Sequence, residues 1–273
     1  MKLRFSSVLS VQTVGARLLA LVGLLCLASA SLTAADTQAV APASGPVALT
    51  LFLIGDSTMS DKPLIPAFPE RGWGQMLPMY FKPEVRVANY ARNGRSSKSF
   101  RAEGRWETVL SQLKPGDYVL IQFGHNDQKK DDAARFSDPD GSFKQNLQRY
   151  IQETRVAKAL PVLATPVARR KFGPDNQAVD THGDYARAVR EVAAQEQVPL
   201  LDLERRSREL LSQMGPENSK RLYDWVNPGE YEKCPAGLKD DTHFNAFGAS
   251  RMCDLAVLEM RGAVPDLARR LVK

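Results

Sequence analysis

The stretch VALTLFLIGDSTM, residues 47–59, decides how the rest of the chain is read. Seven of its first eight residues are apolar, and the run stops abruptly on Gly55-Asp56-Ser57. A short, nearly continuous apolar run ending in turn residues is the signature of a strand buried on both faces. Four further runs of this kind follow, at residues 85–90, 118–123, 161–165 and 198–203. Helical patterns separate them, at residues 73–81, 105–113, 142–159 and 184–195, and a last one covers 246–260. Strands alternating with helices predict an α/β protein, a five-stranded parallel sheet in a three-layer αβα sandwich. In a flavodoxin-like strand order, 2-1-3-4-5, the first strand lies between the second and third.

That order has a consequence for chemistry. In open α/β sheets ligands gather beyond the carboxyl ends of the strands, where the strand order reverses. The first strand leads into Gly55-Asp56-Ser57, the second into Asn93-Gly94-Arg95, and the third into Gly124-His125-Asn126-Asp127. The order therefore sets Ser57 between Gly94 and Asn126. A serine becomes a nucleophile only when a base takes its proton and a third group orients that base. Of the three histidines, His243 sits in Asp240-Asp241-Thr242-His243, just before the last helical pattern. Asp240 is the expected orienter and Asp241 its rival. The backbone N–H groups of Ser57 and Gly94, with the Asn126 amide, are the expected donors to a tetrahedral oxyanion. Position 59 is Met, so Ser57 lacks the Gly-x-Ser-x-Gly elbow of the ordinary α/β-hydrolases.

The blocks Gly55-Asp56-Ser57, Gly94, Gly124-His125-Asn126-Asp127 and Asp240-Asp241-Thr242-His243 resemble those of the GDSL/SGNH hydrolases. Gly94-Arg95-Ser96-Ser97-Lys98-Ser99-Phe100, Glu103-Gly104-Arg105, Thr165-Pro166-Val167 and Asp241-Thr242-His243-Phe244 narrow the likeness. They are similar to the rhamnogalacturonan acetylesterases of carbohydrate esterase family twelve, from about Leu51 to Met260. The resemblance implies a three-layer αβα fold and removal of acetyl groups from plant cell-wall polysaccharide. It places the nucleophile at Ser57, the base at His243, the orienter at Asp240, and the oxyanion donors at Ser57, Gly94 and Asn126. Two other readings stand beside it. One is an esterase or acetyltransferase using the same serine on xylan or another acylated saccharide. The other is a non-catalytic carbohydrate-binding relict, which the complete set of reactive residues disfavours.

The N-terminus reads as an address. Residues 1–17 are basic, residues 18–30 (LLALVGLLCLASA) are apolar, and Ala28-Ser29-Ala30 or Thr33-Ala34-Ala35 offers a cleavage site. The apolar segment is shorter than the ~20 residues that span a bilayer. Residues 1–35 are expected to be a signal peptide, 36–46 a disordered spacer and 47–273 a single hydrolase domain, secreted or periplasmic. Export leaves Cys234 and Cys253 as an even pair in an oxidising compartment, so a disulfide or two free thiols are both open.

Of the formal net charge of +6, half belongs to Lys2, Arg4 and Arg17, ahead of any acid. The near-balanced remainder excludes a strongly basic nucleic-acid binder. Local positive charge persists at Arg92, Arg95, Lys98, Arg101 and Arg105, and at Arg169-Arg170-Lys171. Arg92, Arg95 and Arg169 are the expected contacts to an acidic, acetylated polysaccharide, since arginine reads carboxylates with a paired fork. Trp73, Trp106, Tyr223 and Trp225 are available for sugar stacking or for the core. His125 and His182 lack a second ligand at metal spacing, and Asp127, Asp131 and Asp132 read as solvated loop charge. No metal or cofactor is expected, no membrane partner after cleavage, and a monomer.

Overall fold

Period-two alternation of the buried strands builds two apolar layers around one sheet. In the computed structural model, which describes residues 48–65 and 67–272, β1 runs over Leu49–Gly55. Its Leu49, Leu51 and Leu53 face one core and its Phe52 and Ile54 the other. The sheet is completed by β3 (Val85–Asn89), β4 (Tyr118–Gln122), β5 (Leu160–Ala164) and β6 (Leu200–Leu201), all parallel. Counting β2 (Glu70–Arg71) as a separate short strand, the order is β3-β1-β4-β5-β6. This is the 2-1-3-4-5 order expected for the five buried strands, and the reversal falls at β1. The segments expected to be signal peptide and spacer lie outside the described residues. Among the described residues, no helix is long and apolar enough to cross a membrane.

One face is covered by α2 (Ser97–Ala102), α3 (Arg105–Leu110), α4 (Ser142–Val156) and α5 (Asp184–Gln195). In α4 the buried side chains are Phe143, Leu147, Tyr150, Ile151 and Thr154, the spacing of one helical stripe. Trp106 and Tyr150 meet edge to face with ring centroids 5.0 Å apart. The other face carries α1 (Trp73–Met76), α6 (Leu203–Asn218), α7 (Ala246–Ala263) and α8 (Pro265–Ala268). Each side chain fully withdrawn from water in these layers contributes ~1.5–3 kcal/mol.

Three features differ from the sequence expectation. The helix expected over 73–81 is one α-turn followed by a 3-10 turn at Leu77–Tyr80, because Pro78 lacks the N–H that an α-helix would use there. The fifth strand stops at Leu201, and α6 starts where Leu203, Ser207 and Leu211 recur at helical spacing. A second sheet, antiparallel, is formed by β2, β7 (Tyr223–Val226) and β8 (Leu238–Asn245). Both thiols are free: Cys253 is buried in α7 and donates to the Trp73 carbonyl at 2.8 Å, while Cys234 lies half-buried in a loop. The disulfide left open by the sequence is therefore absent.

Candidate active site

Ser57 stands at the end of β1 as the one half-exposed residue in a buried run. Its turn is held from beneath. Asp56 Oδ1 accepts the Thr58 N–H at 2.9 Å and the Thr58 hydroxyl at 2.8 Å. Gln122, at the end of β4, donates to Thr58 Oγ1 at 2.8 Å and accepts from the Trp73 indole at 2.9 Å. The strand-to-strand approach here is close. A Cβ on Gly55 would stand 2.7 Å from the Gln122 carbonyl, so only glycine fits before Asp56.

His243 and Asp240 reach this serine from the second sheet. Between β7 and β8 the register runs Tyr223 opposite Phe244 and then Trp225 opposite Lys239. A single residue of β7, Asp224, is thus set against Asp240 to His243 of β8, and β8 bulges there. In the bulge, Asp240 Oδ1 accepts the backbone N–H groups of Thr242 at 2.7 Å and His243 at 2.9 Å. This Asx-type turn brings the carboxylate back onto its own histidine. Asp240 Oδ2 lies 2.7 Å from His243 Nδ1, and His243 Nε2 lies 2.8 Å from Ser57 Oγ. A carboxylate on Nδ1 selects the tautomer whose Nε2 accepts from the serine hydroxyl. Burial works against the charged imidazole, but the bond to Asp240 and its negative charge outweigh that and lift the His243 pKa above 6.5. For Asp240, burial is outweighed by the same bond, and its carboxyl is held below the usual range. Asp241, the rival orienter, points elsewhere: its Oδ1 takes the Arg170 guanidinium at 2.8 Å and the Trp225 indole at 2.9 Å.

The loops after β3 and β4 are tied to one another. Asn126 Nδ2 donates to the Arg95 carbonyl at 3.0 Å, which leaves its second hydrogen free of that bond. Asp127 accepts the Ser97 N–H at 3.0 Å and the Ser97 hydroxyl at 2.5 Å. Gly94 has φ +76°, a left-handed conformation natural for glycine and strained for other residues. Asp127 is fully buried, and burial pushes its carboxyl up to about 7, so it is not the solvated loop charge the sequence suggested. Polarity in a loop gave no sign that the loop turns inward to fasten α2.

Ser57, His243 and Asp240 form one hydrogen-bonded chain beside two glycine- or amide-bearing loops around one strand end, an arrangement whose chemistry suits acyl transfer. A model of the GDSL-like lipase/acylhydrolase family matches residues 53–251. The chain belongs to that family. As a GDSL-like acylhydrolase it is a carboxylic-ester hydrolase. It is 40% identical over 207 residues to a protein of Bacillus subtilis (strain 168) named rhamnogalacturonan acetylesterase RhgT, covering 76% of this chain and 87% of that one. It is 33% identical over 223 residues to YesY of the same organism, named a probable rhamnogalacturonan acetylesterase, covering 82% and 97%. The crystal structure of YxiM from Bacillus subtilis superposes with a TM-score of 0.68 at 28% identity, covering 80% of this chain and 57% of that larger one. Axe2, an acetylxylan esterase from Geobacillus stearothermophilus, shares the fold with a TM-score of 0.55 at 20% identity, covering 79% and 95%.

Around the GDSL-like centre, the remaining sequence expectations divide. Arg95 is taken up by Glu103, whose carboxylate its Nε meets at 3.0 and 3.1 Å, and Arg92 is exposed. Arg101 pairs with Glu153 and Arg105 shares Glu103 with Arg95, so three of the five cations of that run are held by two carboxylates. Arg169 sits deeper, with Nη2 3.3 Å from the His125 carbonyl and its charge felt by Asp56 and Asp240. Trp73, Trp106 and Tyr223 are core residues with no exposure. Trp225 is flanked by Lys220 at 4.6 Å and Arg170 at 5.0 Å from its ring centre. Among the described residues no cluster of side chains is arranged to hold a metal. Arg135 Nη1 approaches Asn126 Oδ1 at 3.5 Å.

Proposed function

We propose that this hydrolase is a secreted serine carbohydrate esterase that removes O-acetyl groups from pectic rhamnogalacturonan. The observation that carries the chemistry is the continuous relay Ser57 Oγ–His243 Nε2 and His243 Nδ1–Asp240 Oδ2 at 2.8 and 2.7 Å. In this reading His243 takes the Ser57 proton as Oγ attacks the acetyl carbonyl. The oxyanion forms among the N–H groups of Ser57 and Gly94 and the amide of Asn126. His243 then returns the proton to the departing sugar oxygen, which leaves an acetyl-enzyme and a free hydroxyl. A water, deprotonated by the same imidazole, attacks the acetyl-enzyme, and acetate leaves as Ser57 recovers its proton. Asp240 stays ionised throughout and stabilises the imidazolium.

The substrate class is supported by the two relatives named for rhamnogalacturonan at 40% and 33% identity. Export is supported by the basic and apolar run of residues 1–30. The deciding experiment measures acetate release from acetylated rhamnogalacturonan, acetylated homogalacturonan and acetylxylan, with Ser57→Ala as the control. Rhamnogalacturonan is expected to be deacetylated fastest, and Ser57→Ala to lose at least ~10³-fold. Faster release from xylan refutes the substrate, and full activity of Ser57→Ala refutes the mechanism.

A further inference from the structure

Lys62 stands where a lysine is seldom found. Its side chain is 4% exposed, and a buried ammonium is costly unless it is paired. Its Nζ meets Glu70 Oε1 at 2.8 Å and donates to Asn93 Oδ1 at 2.5 Å. Its backbone is held as well: the N–H donates to Gln75 Oε1 at 3.1 Å, and the carbonyl accepts from Gln75 Nε2 at 3.0 Å. Gln75 belongs to α1, so the ammonium is presented from a fixed stretch of chain. The Ser57–His243–Asp240 relay uses none of these groups.

The two partners of Lys62 lead in different directions. Glu70 is in β2, opposite Asn245 of β8, the strand that carries Asp240 and His243. Asn93 precedes Gly94, and its Oδ1 also accepts the Ser60 hydroxyl at 2.5 Å. A lysine ammonium only donates, so the amide oxygen of Asn93 must face it, and two donors use both of that oxygen's lone pairs. The Asn93 carbonyl accepts from Arg95 Nη1 at 2.8 Å. With its side chain and its carbonyl both tied, Asn93 gives the peptide to Gly94 one orientation. A trans peptide is planar, so the Gly94 N–H points away from the Arg95 bond. Among the described residues that N–H meets no backbone acceptor. The cluster reaches the base too: after burial and Asp240, the His243 pKa feels Glu70, which raises it, and Lys62, which lowers it.

We propose that Lys62 is a positioning residue, which aims the Gly94 N–H through Asn93 and, through Glu70, ties that loop to the sheet presenting His243. The role rests on the reading of Gly94 as a donor to the oxyanion. A donor aimed in advance needs no reorganisation as charge develops, so its gain falls in the transition state and hardly at all in the ground state.

The test measures kcat and KM on p-nitrophenyl acetate for Asn93→Ala, Lys62→Met, the double variant and Asn126→Ala, each with its unfolding temperature. Asn93→Ala leaves the Lys62–Glu70 pair in place, so it answers even where Lys62→Met does not fold. Each of these two single variants is expected to lose roughly ten- to hundredfold in kcat with KM little changed, short of the ~10²–10³-fold that outright loss of a donor costs. The midpoint of the pH profile is expected to stay in place in Asn93→Ala, since that change removes no charge. The double variant is expected to lose no more than the larger single loss, because both substitutions break one link. Wild-type kcat in Asn93→Ala, with Asn126→Ala down by ~10²-fold or more, overturns the positioning role alone. Wild-type kcat in both overturns the oxyanion reading and the role with it. Losses that multiply in the double variant, or a loss confined to KM, overturn the role.

Discussion

Replacing Asp240 by asparagine changes one atom at the point where the proposed orienter meets the proposed base, His243. Oδ1 accepts two backbone N–H groups, at 2.7 and 2.9 Å, and the asparagine oxygen still accepts both. The Asx turn and the bulge of β8 therefore survive. The amide nitrogen then takes the position of Oδ2, 2.7 Å from His243 Nδ1, and donates where a carboxylate accepted. Nδ1 must become the acceptor, which puts the imidazole proton on Nε2, facing Ser57 Oγ. The base is lost with little change in shape. The same exchange in a Ser-His-Asp triad lowers kcat about 10⁴-fold, or about 5.5 kcal/mol at 1.36 kcal/mol for each tenfold. The assay is kcat/KM on p-nitrophenyl acetate at pH 8, with thermal unfolding to verify that the variant folds. Asp241→Asn is the comparison, since Arg170 and Trp225 both donate to its Oδ1 and an amide oxygen keeps both bonds. It is expected to cost less than about tenfold. A folded Asp240→Asn within tenfold of wild type, or an equal loss in Asp241→Asn, would refute the assignment of Asp240 as orienter.

Activity on p-nitrophenyl acetate should rise with pH as His243 loses its proton. The midpoint is expected above 6.5, because Asp240 outweighs burial in holding the proton; a rate flat between pH 5 and 8 counts against a histidine base. Asn126→Ala removes one proposed oxyanion donor and is expected to lower kcat by about 10²–10³ with KM little changed. An effect confined to KM would assign Asn126 to ground-state binding instead. Asp224, opposite the bulge, has both carboxylate oxygens buried without a partner among the described residues. Burial, followed by the charges of Glu70 and Asp240, raises its carboxyl to about 7. A folded pKa above the unfolded value of ~3.9 means that this group's contribution to stability is full in acid and is lost as pH climbs from about 4 through about 7. Asp224→Asn is expected to flatten the fall of the unfolding temperature across that window, and an unchanged slope would place the titrating group elsewhere.

Much of the molecule is legible in its residues because local rules and the global fold agree. Apolar runs too short for helices become buried strands, and β1 needs no tertiary information to be recognised. Three strand ends carrying Ser57, Gly94 and Asn126 follow from chain order once the sheet is known to be doubly wound. What failed in the sequence is what depends on pairing across long separations. β2 and β7 are short and β8 is mixed in polarity, and β2 and β7 exist as strands because each pairs with β8. The β8 bulge that turns Asp240 onto His243 was legible as an Asp-x-x-His spacing but not as a strand irregularity. Charge was the least legible property. Arg92, Arg95, Arg101 and Arg105 read as a basic face, yet three of them are paired, Arg95 and Arg105 sharing Glu103 and Arg101 holding Glu153.

By itself, then, the sequence determined the sheet, its order and the residue types available for acyl transfer, because hydrophobic period and turn chemistry are local. Tertiary structure alone decided that Asp241 turns away to Arg170 and Trp225, that Asp127 is buried, that Cys253 is a free core thiol, and which cations of the basic run are paired. Each of those depends on what stands across the space from a side chain. Hydrogen bonds and ion pairs act over a few ångströms of space, and no spacing along the chain records them.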